Sequence, residues 1–280
     1  MMIKENKIDI INSKHMMLGE CKEEFLAGVP FPHLVLDDFL ENDFFTGLKN
    51  DFKNMASAAD GKSFDTVVEE KKWISLNASL PGSIKSIVDV LNSDAWVENM
   101  RSLTGIDSLI STQHGNTKLA NYHVMEPGGI LGSHVDHSFE PELGIPHVLN
   151  ILIYLSEDWA IDAGGGTLLY NKTGKKVIKK VEYKPNRAVL FLHTPYSFHG
   201  VERINSDSKN NRRTIYVDYY STSYEPYNEM PLAFDKKWFK HGTMFKLANV
   251  FDYFKKNNMH YTKSLAQYHV NRYLRKLKGL

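Results

Sequence analysis

From Lys118 to Ser221 the chain loses helical periodicity and breaks into short apolar runs separated by turns. This pattern limits the fold more than any other. The spacing predicts strands over 118–126, 131–136, 147–155, 167–170, 176–182, 187–192, 198–204 and 212–220. Asn171-Lys172-Thr173-Gly174 is a strong turn between the fourth and fifth. Strands following one another without intervening helices suggest a sandwich, barrel or jelly roll. The expected fold is mainly β with flanking helices around a double-stranded β-helix (jelly roll), whose tapered interior is a natural ligand cavity.

The flanks read differently. His33 to Leu40 reads as a strand running into a helix start. Phe44, Leu48 and Phe52 then recur every four residues, with Phe45 and Met55 beside them, as on an amphipathic helix. Residues 56–80 are polar and mixed, anchored by Trp73, Ile74 and Leu76. Pro81-Gly82-Ser83 opens a second helix with Ser83 as N-cap and a stripe of Ile84, Ile87, Val88, Leu91 and Ala95. After Ser221, a helix carrying Trp238, Phe239, Phe245, Leu247, Val250, Phe251 and Phe254 is expected. A last one over about 262–278 would put Val270, Tyr273, Leu274 and Leu277 on one face. The chain divides into a support region (1–117), a catalytic core (118–221) and a basic helical region (222–280).

Composition narrows the class. An apolar fraction of 42% with 24% charged residues fits a folded globular chain. The single cysteine, Cys21, excludes an internal disulfide framework and a cysteine-based zinc site. No signal-peptide core stands in the first residues, and no apolar run reaches the length of about 18 residues that marks a membrane span. The expectation is a cytoplasmic monomer or homodimer. The net charge of +1 conceals an asymmetry. From Pro231 to Leu280 there are 11 Lys/Arg against 2 Asp/Glu. Such a tail is either the solvated face of terminal helices or a surface for an anionic partner. No nucleic-acid signature accompanies it, so no nucleic-acid partner is expected.

The chemistry-bearing residues sit within the strands. His134 and Asp136 are two apart, so a strand turns both to one face. Neither belongs unpaired in an apolar core. His199 opens a strand far along the chain. Two histidines and one carboxylate leave coordination positions open, which suits non-haem Fe(II) better than a closed structural zinc site. Arg212 and Thr214 also share a face, continued by Tyr216 and Asp218. A guanidinium directed into a pocket needs an anion, and its donor fork suits a carboxylate. Alternation lets only one of Arg212 and Arg213 face that pocket. Asn150 and Tyr154 share a face of another strand and could reach an acid group.

Taken together, these segments resemble the 2-oxoglutarate- and Fe(II)-dependent dioxygenase superfamily, in particular its prolyl-hydroxylase-like branch. His134-Val135-Asp136, His199 and Arg212-Arg213-Thr214 follow the family order. Pro127-Gly128-Gly129, Tyr154 to Trp159, Gly164 to Leu168 and Phe31 to Leu40 resemble its accompanying segments. The resemblance covers about residues 30–221, most strongly 120–220. In one departure, Met125 replaces a tyrosine often found two residues before the Pro-Gly turn, with Tyr122 nearby.

The resemblance implies that His134, Asp136 and His199 bind iron. It implies that Arg212 clamps the distal carboxylate of 2-oxoglutarate, helped by Thr214, Tyr154 and Asn150. O2 would be the second co-substrate, with succinate and CO2 released as a C–H bond is hydroxylated. The presence of Asp136 favours hydroxylation over halogenation. The substrate would be a small molecule or a peptidyl residue such as proline, with His147, His193 and Tyr122 as candidate contacts. His123 and His137, of opposite parity to His134, are not expected to be ligands. The competing reading is a cupin-like metal-binding or structural jelly roll without oxygenase activity, against which the Arg212-x-Thr214 pair argues.

Overall fold

Alternation of apolar and polar side chains along the strands sorts the molecule into layers. The computed structural model describes residues 7–54, 61–66, 68–111, 121–140, 144–223, 244–245, 270, 273–274 and 277. After three short 3-10 turns come helix α1 (Lys22–Leu26), strand β1 (His33–Leu36) and helix α2 (Asn42–Asn54). Strands β2 (Gly61–Phe64) and β3 (Glu69–Ser75) precede helices α3 (Gly82–Leu91) and α4 (Asp94–Thr104) and the short β4 (Ile110–Ser111). The main strands are β5 (Tyr122–Val135), β6 (His147–Tyr154), β7 (Thr167–Tyr170) and β8 (Val177–Val181). They continue with β9 (Ala188–Leu192), β10 (His199–Val201), β11 (Arg212–Tyr220) and β12 (Met244–Phe245).

The strands run in the order β1-β9-β6-β11-β5-β10-β7-β8, with antiparallel neighbours throughout. Together they make a nearly closed, jelly-roll-like barrel with a few flanking helices. Strands from outside 118–221 extend it: β1 lies on β9, and β3 and β12 both lie on β5. On β11, Ile215, Val217 and Tyr219 face the helical layer, in one core with Ile151, Ile153, Val124 and Tyr122. A second core fills the interior around Met125, Leu152, Tyr154, Val189, Phe191 and Leu169. The period of two thus gives each strand a structural side and a site side.

The helical layer is held by both packing and polar contacts. Phe39, Leu48 and Ile84 are at most 1% exposed, and burial of each stabilises the fold by about 1.5–3 kcal/mol. Trp96 on α4 donates its ring N–H to the Tyr219 hydroxyl at 2.9 Å, and that hydroxyl donates to the Leu91 carbonyl at 2.8 Å. One relay therefore ties α3 and α4 to β11. Ser93 caps α4 by accepting from the Trp96 amide, and Gly105 ends it in the left-handed region.

Several expectations are corrected. The polar stretch 61–75 contains two strands, β2 and β3, whose charged residues conceal the alternation. The segments expected over 118–126 and 131–136 join in one long β5, because Gly128, at φ +83, carries the chain through Pro127-Gly128-Gly129 without ending the ladder. Ser83 lies inside α3 rather than capping it. The Pro81 carbonyl already accepts from the Lys85 amide, and the Ser83 hydroxyl instead meets Asp51 on α2. Ala95 belongs to α4, since α3 ends at Leu91. Leu76, expected as an anchor, is exposed. Phe245, expected in a helix, pairs as β12 with His134. Of the last expected helix, residues 270, 273–274 and 277 are helical, and their apolar side chains are exposed. The stretch with Trp238, Phe239, Leu247, Val250, Phe251 and Phe254 lies outside the described residues. Among the described residues, no helix is long and apolar enough to cross a membrane.

Candidate metal centre

His134 and Asp136 stand at and just beyond the end of β5, and β10 pairs antiparallel beside it with His199 directly opposite His134. Local backbone orients both imidazoles. His134 donates its Nδ1–H to the Gly132 carbonyl at 2.8 Å, and His199 donates to the Ser197 carbonyl at 3.1 Å. A carbonyl can only accept, so these bonds hold the proton on Nδ1. Both Nε2 atoms then point at one carboxylate: His134 lies 3.3 Å from Asp136 Oδ1 and His199 3.2 Å from Oδ2. Burial, followed by the neighbouring His199, keeps the His134 pKa below its usual value. Burial works against charge on Asp136, but the two histidines outweigh it and hold the carboxyl well below the usual range. Two imidazole lone pairs facing an ionised carboxylate form a donor set that a divalent cation completes. The residues present therefore fit a facial metal triad.

A polar layer supports the carboxylate. The Tyr216 hydroxyl donates to Asp136 Oδ2 at 2.8 Å, and the Asn150 amide approaches the same oxygen at 3.3 Å. His123 stacks on Tyr216 with ring centroids 5.6 Å apart. It lies outside the triad, as expected, yet on the inner face. The ladder is irregular between Glu70 and Lys72 opposite β5, so parity does not carry through that strand unbroken.

The second polar group of the interior is Arg212, 4% exposed. Its Nε donates to the Gly165 carbonyl at 2.7 Å. Its guanidinium lies 5.3 Å from the Tyr154 ring centre and 5.4 Å from that of Tyr183. Those two rings stack at 4.4 Å, with Trp159 against Tyr183. The Tyr154 hydroxyl bonds that of Thr167 at 2.5 Å. Among the described residues no carboxylate pairs with Arg212. Burial lowers its pKa, and the two tyrosines oppose that shift. Thr214 is buried on the same strand face, its hydroxyl 3.5 Å from the His123 carbonyl. Arg213 faces the other way, its guanidinium over the Phe52 ring.

Tyr154 and Thr214 are thus gathered with Arg212, whereas Asn150 is not. It stands between Asp136 and the His147 side chain. Tyr122 is not brought to the interior at all. It faces the helical layer, stacked on Phe52 and against Trp73. His147 and His193 are both 0% exposed and stack at 4.1 Å, which leaves them no open face for substrate. Sequence reasoning missed Thr167 and Tyr183 as companions of Arg212. Their signal was available only in part: Thr167 directly follows the Gly164-Gly165-Gly166 run, while Tyr183 follows β8 with no motif around it.

Residues 117–220 match the profile of the 2OG-Fe(II) oxygenase superfamily. A curated relative, the prolyl 3-hydroxylase OGFOD1 of Xenopus laevis, is 28% identical over 200 residues, covering 68% of this chain and 35% of that protein. The chain therefore spans about a third of the length of that relative. Among solved structures, a prolyl hydroxylase of Trichoplax adhaerens, in complex with a hypoxia-inducible-factor peptide fragment, superposes with a TM-score of 0.54. It is 18% identical, over 74% of this chain and 91% of that one. A Pseudomonas putida prolyl-4-hydroxylase gives a TM-score of 0.51 at 15% identity, over 74% of this chain and 100% of that one. These two structures share the fold.

Proposed function

Starting from a chain whose residues 117–220 match the profile of the 2OG-Fe(II) oxygenase superfamily, we propose that it is an Fe(II)- and 2-oxoglutarate-dependent dioxygenase acting as a hydroxylase. One observation carries the reading. A buried two-histidine, one-carboxylate donor set shares the interior of one barrel with a buried guanidinium that has no carboxylate partner among the described residues.

In this reading His134, Asp136 and His199 hold Fe(II). The chemistry supplied by bound Fe(II) and 2-oxoglutarate is oxidative decarboxylation coupled to C–H hydroxylation, with O2 consumed and succinate and CO2 released. The chain itself binds and orients. Arg212 receives the distal carboxylate of 2-oxoglutarate. Tyr154 and Tyr183 wall that pocket and exclude water, which strengthens the charge pairing. Thr214 supplies a second polar group on the same face. Tyr216, by donating to Asp136 Oδ2, fixes which carboxylate oxygen stays available to the metal.

The substrate class we favour is a peptide, with a prolyl residue as the hydroxylated position. The prolyl 3-hydroxylase similarity supports this choice, and a small metabolite is the second candidate. We place the protein in the cytoplasm as a monomer or homodimer. The lone cysteine, which fits a reducing compartment, supports that placement. The proposed division keeps 1–117 as support, 118–221 as catalytic core and 222–280 as a basic appendage.

The test is a screen of prolyl peptides and metabolites with Fe(II), 2-oxoglutarate and O2, read as succinate release and as one added oxygen by mass. Anaerobic addition of 2-oxoglutarate to the Fe(II) protein should first produce a weak visible charge-transfer band. No band, and no succinate with any substrate, would leave a metal-binding jelly roll without oxygenase activity.

A further inference from the structure

A second set of ligating side chains lies outside the triad. His137, His147 and Asp218 each bring one ligand atom within 4.8 Å of the others. Neither the metal triad nor the Arg212 pocket uses them. They repeat the donor logic of the first set. His147 donates its Nδ1–H to the His137 carbonyl at 2.9 Å. Its Nε2 is left 3.2 Å from Asp218 Oδ1. His137 turns its own Nε2 toward Asp218 Oδ2 at 3.6 Å.

These separations suit a metal. With ligand atoms about 2.0–2.2 Å from a zinc ion, the edge of the coordination tetrahedron is about 3.3–3.6 Å. Each nitrogen–oxygen distance, one to either oxygen of the Asp218 carboxylate, lies close to that edge. With its imidazoles deprotonated, the cluster would present two Nε2 lone pairs and a carboxylate to one cation. His193 backs the site by stacking on His147, and the Tyr220 hydroxyl lies 3.0 Å from His137 Nε2. His147 is closed off from solvent, while the His137 side chain is 26% exposed, so the site opens on one side. Two imidazoles and one carboxylate favour a borderline ion such as zinc over calcium or magnesium. Three protein ligands leave a fourth position for water or an anionic group.

We propose that His137, His147 and Asp218 form a second divalent-cation site, zinc by its chemistry, distinct from the His134, Asp136 and His199 set. The Asn150 side chain touches both sets, reaching His147 Nε2 on one side and Asp136 on the other. The inference stands apart from the oxygenase reading, because it concerns occupancy rather than turnover.

The test is metal stoichiometry on the full chain stripped with chelator. Co(II), as a spectroscopic stand-in for zinc, is titrated anaerobically, and bound zinc is counted by mass spectrometry after dialysis. Wild-type protein should take two equivalents, and one of them should show the stronger visible absorption of a four-coordinate Co(II) site. His199→Ala should retain one equivalent together with that absorption. His147→Ala and Asp218→Asn should each fall from two equivalents to one and lose it, with circular dichroism confirming the fold. One equivalent in wild type with none in His199→Ala would overturn the proposal. So would two equivalents unchanged by His147→Ala. In either case the Asn150 amide, turned to donate to His147 Nε2 and Asp218, satisfies the cluster without an ion.

Discussion

Replacing Arg212 by methionine should separate stability from co-substrate binding. This buried guanidinium donates to the Gly165 carbonyl at 2.7 Å and lies against two aromatic faces. Burying an ion without a counter-ion costs several kcal/mol. Arg212→Met relieves that cost but leaves the Gly165 carbonyl unsatisfied, at about 1–3 kcal/mol. The two effects oppose each other. For a chain of this size each net kcal/mol moves Tm by about 2–4 °C, so the apo melting temperature should stay within a few degrees of wild type. Binding behaves otherwise. Truncating one partner of a buried charge pair costs about 2–5 kcal/mol, a loss of about 30-fold to 4,000-fold in 2-oxoglutarate affinity. At a ligand concentration of about 100 Kd, wild type gains about 2.7 kcal/mol of stability, and the variant should gain almost none. Calorimetric titration of the metal-loaded protein and thermal melts with and without 2-oxoglutarate read both quantities. Arg213→Met, on the opposite face, is the control and should leave affinity unchanged. An Arg212→Met variant that melts many degrees lower while binding 2-oxoglutarate normally, or two arginine variants that behave alike, would refute the assignment of Arg212 to the co-substrate.

Other outcomes follow from the same contacts. Tyr216→Phe removes the 2.8 Å bond to Asp136 Oδ2 and should weaken binding at the triad by about 10–100-fold, measured by competition with a chelator. An unchanged affinity would show that Asp136 needs no such support. Gly200→Ala would place a Cβ 2.7 Å from the Leu131 carbonyl, forcing β10 away from β5. Metal affinity should fall and apo stability drop by about 1–3 kcal/mol, and a variant matching wild type in both would contradict the close approach. Asp37 receives bonds from Arg187 and Lys184, and the Arg187 bond foremost pulls its pKa from 3.8 to about 2, against the opposing effect of burial. A lowered carboxyl pKa stabilises the fold above the unfolded value, and that contribution is lost as pH falls through the folded value. The side chain is 38% exposed, so solvent screening limits the effect to about 1 kcal/mol. Asp37→Asn should therefore be less stable at neutral pH, the gap closing between about pH 4 and pH 2. Urea melts across that window would refute the assignment if the gap stayed constant.

The interior was legible wherever strict alternation carried the information. Arg212 against Arg213, and Thr214, Tyr216 and Asp218 beyond them, sort to faces by counting in twos along a regular β11. Counting failed where the ladder is irregular. His123 stands on the inner face of β5 because the pairing with β3 is irregular between Glu70 and Lys72, so parity slips before His134, and Tyr122, its neighbour, serves the helical core. Strands β2 and β3 were hidden because Glu69 to Lys72 place charges where a buried strand usually shows apolar residues. Pairing across strands is invisible to local pattern, so neither Thr167 under Tyr154 nor Asp218 beside His147 was anticipated.

The way His199 meets His134 also sets an order of assembly. Two of the three triad ligands are neighbours in sequence, but the third arrives only after β10 has found β5, a pairing that closes a long loop. The unfolded chain offers a cation His134, Asp136 and the neighbouring His137, but not His199. The complete triad therefore forms only once β10 lies against β5.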